Sequence, residues 1–356
     1  MKNPLRRWRQ TGNQVAAHIG YIWKGDIYVD KKKIHNLVIP AQGYKETMES
    51  VVLPYLAERK TERYCEREKG KKIFYLRCLA DQPQGIVILS HGYTETADKH
   101  LENIYYFLRG GYHVFMPEHC GHGRSYRLCK DTGDLSLVHI DDYQRYVDDL
   151  LFVSRLAAQE FPELPICLYG HSMGGGIAAC AAAQEPRIYS RLILSSPMIR
   201  PNSAPLPWPL AYLVAKTFCI AGGEEHYLPG NHPYDGMEQY ADSASASECR
   251  FLYYQDKRCK EPLFQMNAAS YGWFWQTYRL NHALQKKAWR QISCPTRIFQ
   301  AEYETYVSKR EQERFVKKLC RRKNIDAKLI RVKGSKHEIF NSDNKILESY
   351  WQKILS

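Results

Sequence analysis

Residues 165–184 read PICLYGHSMGGGIAACAAAQ. Ile166–Tyr169 is a short run without polar alternation, the pattern of a strand covered on both faces. Gly174–Gln184 is rich in alanine and reads as a helix. Only a few residues separate the two, so the chain must turn sharply at Gly170-His171-Ser172-Met173-Gly174, which fits G-x-S-x-G. Such a turn strains the central residue and brings helix and strand so close that only glycines fit beside it. It also lifts the serine hydroxyl above the sheet, at a helix N-terminus that favours developing negative charge.

Working outward, strands and helices alternate. Ile86–Ser90, Tyr112–Met116 and Leu192–Ser195 read as strands, and Leu101–Arg109 and Asp141–Glu160 as helices, the latter with Asp141 as N-cap. Thr296–Gln300 and Ala327–Val332 are later strands, and Lys309–Lys323 and Asn344–Leu355 later helices. Upstream, Glu46–Glu58 reads as helix, and Glu62–Glu68 with Ile73–Leu79 as a hairpin turning at Lys69–Lys72. The alternation predicts an α/β fold: a mostly parallel central sheet with helices on both faces. Residues 197–292 interrupt it with an aromatic-rich stretch, read as an inserted cap over the carboxyl ends of the strands, where open α/β sheets bind ligands. Four segments result: an unassigned extension (1–45), the first part of the core (46–196), the insert (197–292) and the second part of the core (293–356). Leu210–Ala221 is an apolar helix in the insert, suited to a lid or to shallow membrane contact.

A serine hydroxyl is a weak nucleophile without a base. In this arrangement the base comes last in chain order, after the final strand, where His337 lies in Gly334-Ser335-Lys336-His337-Glu338. A carboxylate must hold the imidazole, and it is expected after the strand that follows the insert. That stretch, QAEYETYV at 300–307, contains no aspartate, so the acid is a glutamate: Glu304 first, Glu302 as the alternative. The backbone N–H groups of Met173 and of Tyr93, in the turn His91-Gly92-Tyr93, are the candidate oxyanion donors. His119, Cys120 and His122 are closely spaced but lack a fourth zinc ligand and a matched second pair, so Pro117–Ser125 reads as a glycine-rich connecting loop. No metal or organic cofactor is expected.

The chain has 356 residues, 44% of them hydrophobic, and its eleven cysteines show no paired spacing, which suits reduced thiols in a cytoplasm. No apolar run is long enough to cross a bilayer, and no apolar h-region follows the basic start, so no secretory signal is expected. The net charge of +13 concentrates in Lys2, Arg6, Arg7, Arg9 and Lys31–Lys33, and again between Lys309 and Lys323. No nucleic-acid motif accompanies it, so an anionic membrane surface ranks above nucleic acid as partner. The expected location is cytoplasmic, with peripheral contact at the inner face of the cytoplasmic membrane.

The segments SHGYTE, PEHCGHGRS, DDYQRYVDDL, LYGHSMGGGIA, LSSPM, QAEYETYV and GSKHEIF occur in this order. Together they resemble the lysophospholipase and monoacylglycerol lipase family of α/β-hydrolases, and YGWFWQTYRLNHAL in the insert is similar to its bacterial lysophospholipase branch. The likeness runs from about residue 46 to the end. It implies an α/β-hydrolase fold and a serine esterase in which Ser172 is nucleophile, His337 base, Glu304 acid, and Tyr93 and Met173 oxyanion donors. The implied substrate is a single-acyl-chain lipid, a lysophospholipid or monoacylglycerol. Most relatives carry aspartate where this chain has Glu304, and the extra methylene requires a shifted loop. HGYTETADKH lacks the second glycine and acidic–histidine pair of many monoacylglycerol lipases, which favours the lysophospholipase branch. The rival readings are a lipid acyltransferase using the same acyl-enzyme, a general carboxylesterase, and a non-catalytic membrane-surface module that keeps the fold.

Overall fold

The structure is a computed structural model, described over residues 35–131 and 133–356. The basic residues before position 34 lie outside the described residues. Three helical pieces, Tyr44–Thr47, Met48–Val52 and Leu53–Ala57, run on from one another, the middle one a π turn. Strands β1 (Lys60–Glu68) and β2 (Lys71–Cys78) form the expected hairpin, turning at Lys69-Gly70. Then follow β3 (Gly85–Ser90), α1 (Leu101–Arg109), β4 (Tyr112–Pro117), β5 (Leu137–Val138), α2 (Gln144–Glu160), β6 (Ile166–His171), α3 (Ser172–Gln184) and β7 (Tyr189–Ser195). The insert holds α4 (Trp208–Ile220), α5 (Glu248–Lys260), β8 (Ala268–Ala269) and α6 (Tyr271–Lys286). The chain closes with β9 (Thr296–Tyr303), α7 (Lys309–Cys320), β10 (Ala327–Lys336) and α8 (Asn344–Leu355).

Eight strands form one sheet in the order β1-β2-β4-β3-β6-β7-β9-β10. The pairs β1–β2 and β2–β4 are antiparallel, and every later pair is parallel. The strands are apolar without alternation because both faces are covered. In β3, Ile86 and Ile88 join the core under α2 and α3, while Val87 and Leu89 join the core under α1 and α8. Each such buried side chain contributes about 1.5–3 kcal/mol of transfer free energy.

Two expected helix ends move by three residues. Helix α2 begins at Gln144, and Asp141 does not cap it: its carboxylate accepts the Asp142 N–H and binds Arg145. Asp142 instead accepts the Gln144 N–H (3.0 Å), so local side-chain-to-backbone bonds hold the chain out of the helix there. Helix α7 ends at Cys320, three residues before Lys323.

The insert packs on itself and on the core by different means. Helix α4 lies on α6 through stacked rings, with Tyr212 on Tyr278 at 3.7 Å and Phe218 on Tyr271 at 4.1 Å. Helix α5 is tied to the core by Arg250, whose buried guanidinium binds Glu102 of α1 (2.8 Å) and the Ile39 carbonyl (2.8 Å).

Candidate active site

The turn between β6 and α3 is built by close approach. A Cβ on Gly170 would lie 2.6 Å from the Gly174 oxygen and 2.8 Å from the Ala178 methyl; on Gly174 it would strike the Ser90 and His91 carbonyls. Ser172 takes φ of 50°, in the left-handed region that L-residues rarely occupy. Its carbonyl is fixed by the Met198 N–H at 2.7 Å. The strain is therefore held by strand, helix and the loop after β7 together.

His337 follows β10, and its Nε2 lies 2.8 Å from Ser172 Oγ. Its Nδ1 lies 2.7 Å from Glu304 Oε2. A carboxylate only accepts, so Nδ1 carries the proton, and Nε2 is left to accept the serine O–H. Glu304 is itself held, because its Oε1 accepts the Tyr306 N–H (2.9 Å) and the Val307 N–H (3.2 Å). The loop after β9 thus turns back on the longer side chain. Glu302 lies on the same strand end, exposed, and its carboxylate accepts the Gly334 N–H at 2.7 Å rather than reaching the imidazole. The base's own loop leans on the insert through Glu338 N–H to the Ala244 carbonyl (3.0 Å).

Tyr93 and Met173 both flank Ser172, Tyr93 on the cavity wall and Met173 in the first turn of α3. The peptide bearing the Tyr93 N–H and the one before it are each held by a side chain. His91 Nε2 accepts the His119 N–H (2.8 Å), so its proton sits on Nδ1 and goes to the Gly92 carbonyl (2.8 Å). Burial pushes the His91 imidazole down to about 4, which keeps it neutral. The Gly92 N–H donates to Glu95 Oε2 at 2.6 Å. Burial alone would raise the Glu95 carboxyl, but His171, His100 and Lys99 outweigh it and hold it well below the usual range. The loop Pro117–Ser125 closes this side, with His119 bonded to Ser90 Oγ (2.9 Å) and His122 to the Cys120 carbonyl (3.0 Å). Their imidazoles serve this packing and do not converge on one point with Cys120.

His171, inside the turn, donates from Nδ1 to the Ser195 carbonyl (3.2 Å), and its ring lies 5.0 Å from that of His337. Sequence reading did not single out Glu95, Lys99, Arg258, Glu238 or Glu338. All five line the cavity of about 190 Å³ that contains Ser172 and His337. Glu95, Lys99 and Glu338 fall within motifs already quoted, so HGYTETADKH and GSKHE carried a signal there; Arg258 and Glu238 lie in the insert with none.

The geometry, a hydroxyl on a strained turn bonded to an imidazole that is bonded to a carboxylate, can move a proton from serine to a leaving group. Known proteins place this chain among enzymes of that kind. It is 35% identical over 125 residues to a monoacylglycerol lipase of Mycolicibacterium smegmatis, a match covering 35% of this chain and 42% of that one. It is 25% identical over 301 residues to a probable lysophospholipase L2 of Haemophilus influenzae, covering 82% of this chain and 90% of the relative. The chain therefore spans less than half the length of the monoacylglycerol lipase, and nearly all of the lysophospholipase. Solved structures share the fold. A soluble variant of monoglyceride lipase from Saccharomyces cerevisiae superposes with a TM-score of 0.64 at 19% identity, over 83% of this chain and 93% of that one. A thermostable carboxyl esterase from Bacillus coagulans gives 0.67 at 19%, over 83% and 97%. The fold is that of the α/β-hydrolases. The family model Hydrolase_4, described as serine aminopeptidase S33, matches residues 81–344, well over half of the sequence, and the chain belongs to that family.

Proposed function

We propose that this chain is a serine hydrolase that cleaves the carboxylic ester of a single-acyl-chain lipid, a lysophospholipid or a monoacylglycerol. The observation that carries the reading is the hydrogen-bond chain Ser172 Oγ–His337 Nε2 (2.8 Å) and His337 Nδ1–Glu304 Oε2 (2.7 Å). His337 takes the serine proton as Oγ attacks the ester carbon. The N–H groups of Tyr93 and Met173 receive the oxyanion. His337 then returns the proton to the leaving alcohol, and water releases the acyl group from serine by the same route. Glu304 holds the imidazole tautomer and stabilises the imidazolium.

The family's description is that of a peptidase. The lipid-ester reading is supported by the aromatic walls of the cavity, among them Tyr93, Phe251, Tyr254 and Trp273, and by the lipase and lysophospholipase names of the relatives. We read residues 197–292 as a cap that supplies most of these walls. The exposed face of α4, with Leu210, Leu213 and Ile220 spaced along one side, is read as contact with a lipid surface. The basic stripe of Arg310, Arg314 and Lys317 on α7, continued by Arg321 just past its end, would draw it to anionic bilayers, so peripheral attachment to the cytoplasmic membrane is the location this reading favours. Among the described residues no helix is long and apolar enough to cross a membrane.

Turnover of a lysophospholipid, a monoacylglycerol and a short soluble ester, measured for wild type and Ser172→Ala, tests the assignment. The variant is expected to fold and to lose at least about 10³-fold in turnover. Undiminished turnover would remove Ser172 as nucleophile.

A further inference from the structure

Behind the nucleophile turn, two buried groups face each other in a way that their ordinary charge states do not explain. His171 precedes Ser172, is 1% exposed, and gives its Nδ1 proton to the Ser195 carbonyl (3.2 Å). Its Nε2 has no hydrogen-bond partner among the described residues, yet it lies 3.4 Å from Glu95 Oε1. Glu95, 3% exposed, spends Oε2 on the Gly92 N–H (2.6 Å) and on His100 Nε2 (2.8 Å). A neutral imidazole protonated at Nδ1 presents a lone pair at Nε2, and a carboxylate only accepts. Two acceptors at ion-pair distance, buried from water, repel; one proton between them turns the contact into attraction.

Counting charges gives the same answer. Lys99 Nζ pairs with Glu338 and lies 3.8 Å from Glu95 Oε1. Two carboxylates and one ammonium, all largely buried, leave one negative charge over, and one further proton cancels it. Burial pushes the His171 imidazolium down, and Glu95 pushes it up. The other rings against His171 are those of His337 (5.0 Å), His100 (6.5 Å) and Phe340 (4.9 Å). His91, His119, His122 and the Tyr169 phenol feel Glu95 from further off. His100 cannot supply the proton, because its Nδ1 accepts the Asn103 amide N–H (2.9 Å) and its Nε2 proton already goes to Glu95.

We propose that Glu95 and His171 hold one proton between Oε1 and Nε2, and that the pair is a positioning device that binds the oxyanion turn to the nucleophile turn. The fit is close: a Cβ on Gly92 would lie 2.9 Å from the Glu95 carboxyl carbon and 3.0 Å from His171 Cδ2, so the peptide that leads to the Tyr93 N–H is wedged against both. While the proton is held, Glu95 ties the Gly92 N–H to the residue next to Ser172. When it is lost, carboxylate and imidazole push apart, and the Tyr93 N–H leaves its line toward Ser172. Turnover then fails at alkaline pH for a reason that does not involve His337. The inference rests on Ser172 as nucleophile and the Tyr93 N–H as oxyanion donor, and is independent of which ester is cleaved.

The test compares Glu95→Gln and Glu95→Ala with wild type. A glutamine amide accepts from Gly92 and His100 with its oxygen and donates to His171 Nε2 with its nitrogen, through a hydrogen that alkali in the working range does not remove. The kcat for a short soluble ester is measured between about pH 6 and about pH 10. Burial pushes the Tyr254 and Tyr306 phenols up to about 12, and Lys99, lowered by burial, is raised overall by Glu338 and Glu95, so none of the three titrates there. Wild type is expected to lose at least about tenfold in kcat at the alkaline end. Glu95→Gln should start about three- to tenfold lower at pH 7 and stay within about threefold of that value to the alkaline end. Glu95→Ala should lose about 10²-fold at every pH with KM within about threefold, as for a lost oxyanion donor. Should it fail to fold, Glu95→Gln decides. Proton NMR of wild type should also show a resonance downfield of the amides that Glu95→Gln and His171→Asn both remove. A wild-type profile flat at the alkaline end, an equal alkaline loss in Glu95→Gln, or no downfield resonance that depends on both residues overturns the proposal. If no ester is turned over, the hydrolase reading falls, and the shared proton stands or falls on the resonance, which needs no substrate.

Discussion

On one side of the cavity, the side chains that meet come from three loops at the carboxyl ends of β6, β9 and β10, and those of β6 and β9 are fixed by backbone N–H groups. Ser172 is held through Met198, Glu304 by the Tyr306 and Val307 N–H groups, and the Tyr93 peptide by His91 and Glu95. On the other side, the insert is fixed unevenly. Helix α5, which brings Arg258 and Tyr254 to the wall, is clamped by the buried Arg250–Glu102 pair, joined by the hydroxyls of Tyr44 and Tyr106. Helix α4 rests on α6 by ring stacking and shows Leu213 (54% exposed) and Ile220 (77%) outward. The difference separates tasks. On the proposed reading the loops bear the geometry that proton transfer demands, α5 carries the wall that would meet substrate, and α4 faces outward with the apolar area a lipid surface would cover.

The sharpest way to break this division is at the two glutamates. Glu304→Gln keeps the size of the side chain but removes the charge that stabilises the imidazolium. It should lower kcat by about 10²–10⁴-fold, with Glu302→Gln within about threefold of wild type. The reverse pattern, read from steady-state kinetics, would move the acid to Glu302. Next in size is the clamp. Arg250→Leu strands Glu102 in the core and should cost about 3–5 kcal/mol of stability, seen as a lower urea midpoint. A midpoint unchanged from wild type would mean that α5 is held by packing alone.

The loop side also fixes a pH dependence. Burial lowers the imidazoles of His119 and His122 as it does that of His91, the last to about 4. In the unfolded chain these groups titrate near about 6.5. Between those values the unfolded chain binds protons that the folded chain refuses, so stability falls as pH drops from about 6.5 towards 4. His91 alone accounts for on the order of 3 kcal/mol. Urea midpoints that stay level from pH 7 to 4.5 would contradict neutral, buried imidazoles. The smallest effect on stability belongs to α4: Leu213→Ser should change it by less than about 0.5 kcal/mol. The same change should weaken sedimentation with anionic vesicles; unaltered vesicle binding would leave α4 without the role given to it.

Much of this was legible in residue order. Apolar runs such as Ile86–Ser90 mark strands covered on both faces, and glycines packed around a serine mark a turn that only close approach explains. The absence of aspartate from 300–307 left two glutamates, and coordinates were needed to see that Glu304 turns inward while Glu302 bonds the Gly334 N–H. What was not legible is pairing across long separations. Arg250 meets Glu102 from 148 residues away, and Lys99 meets Glu338 from 239. Arg250 carries no local signal, and the motifs that hold Lys99 and Glu338 do not say that the two meet, because the partner is chosen by how the insert and the last loop fold back over the sheet. The pairing of Leu137–Val138 with Ala268–Ala269 was missed for the same reason. The start of α2 was misplaced because an aspartate before a helix is read as a cap, whereas here Asp141 and Asp142 bind nearer groups.

The central claim is that Ser172 carries the acyl group between substrate and water. Rapid quenching in acid during turnover of a lysophospholipid, followed by peptide mass mapping, observes that intermediate. The account predicts one acyl group on the peptide containing Ser172 and none in Ser172→Ala. Acyl groups on another residue, or full turnover by the Ser172→Ala protein, would contradict it.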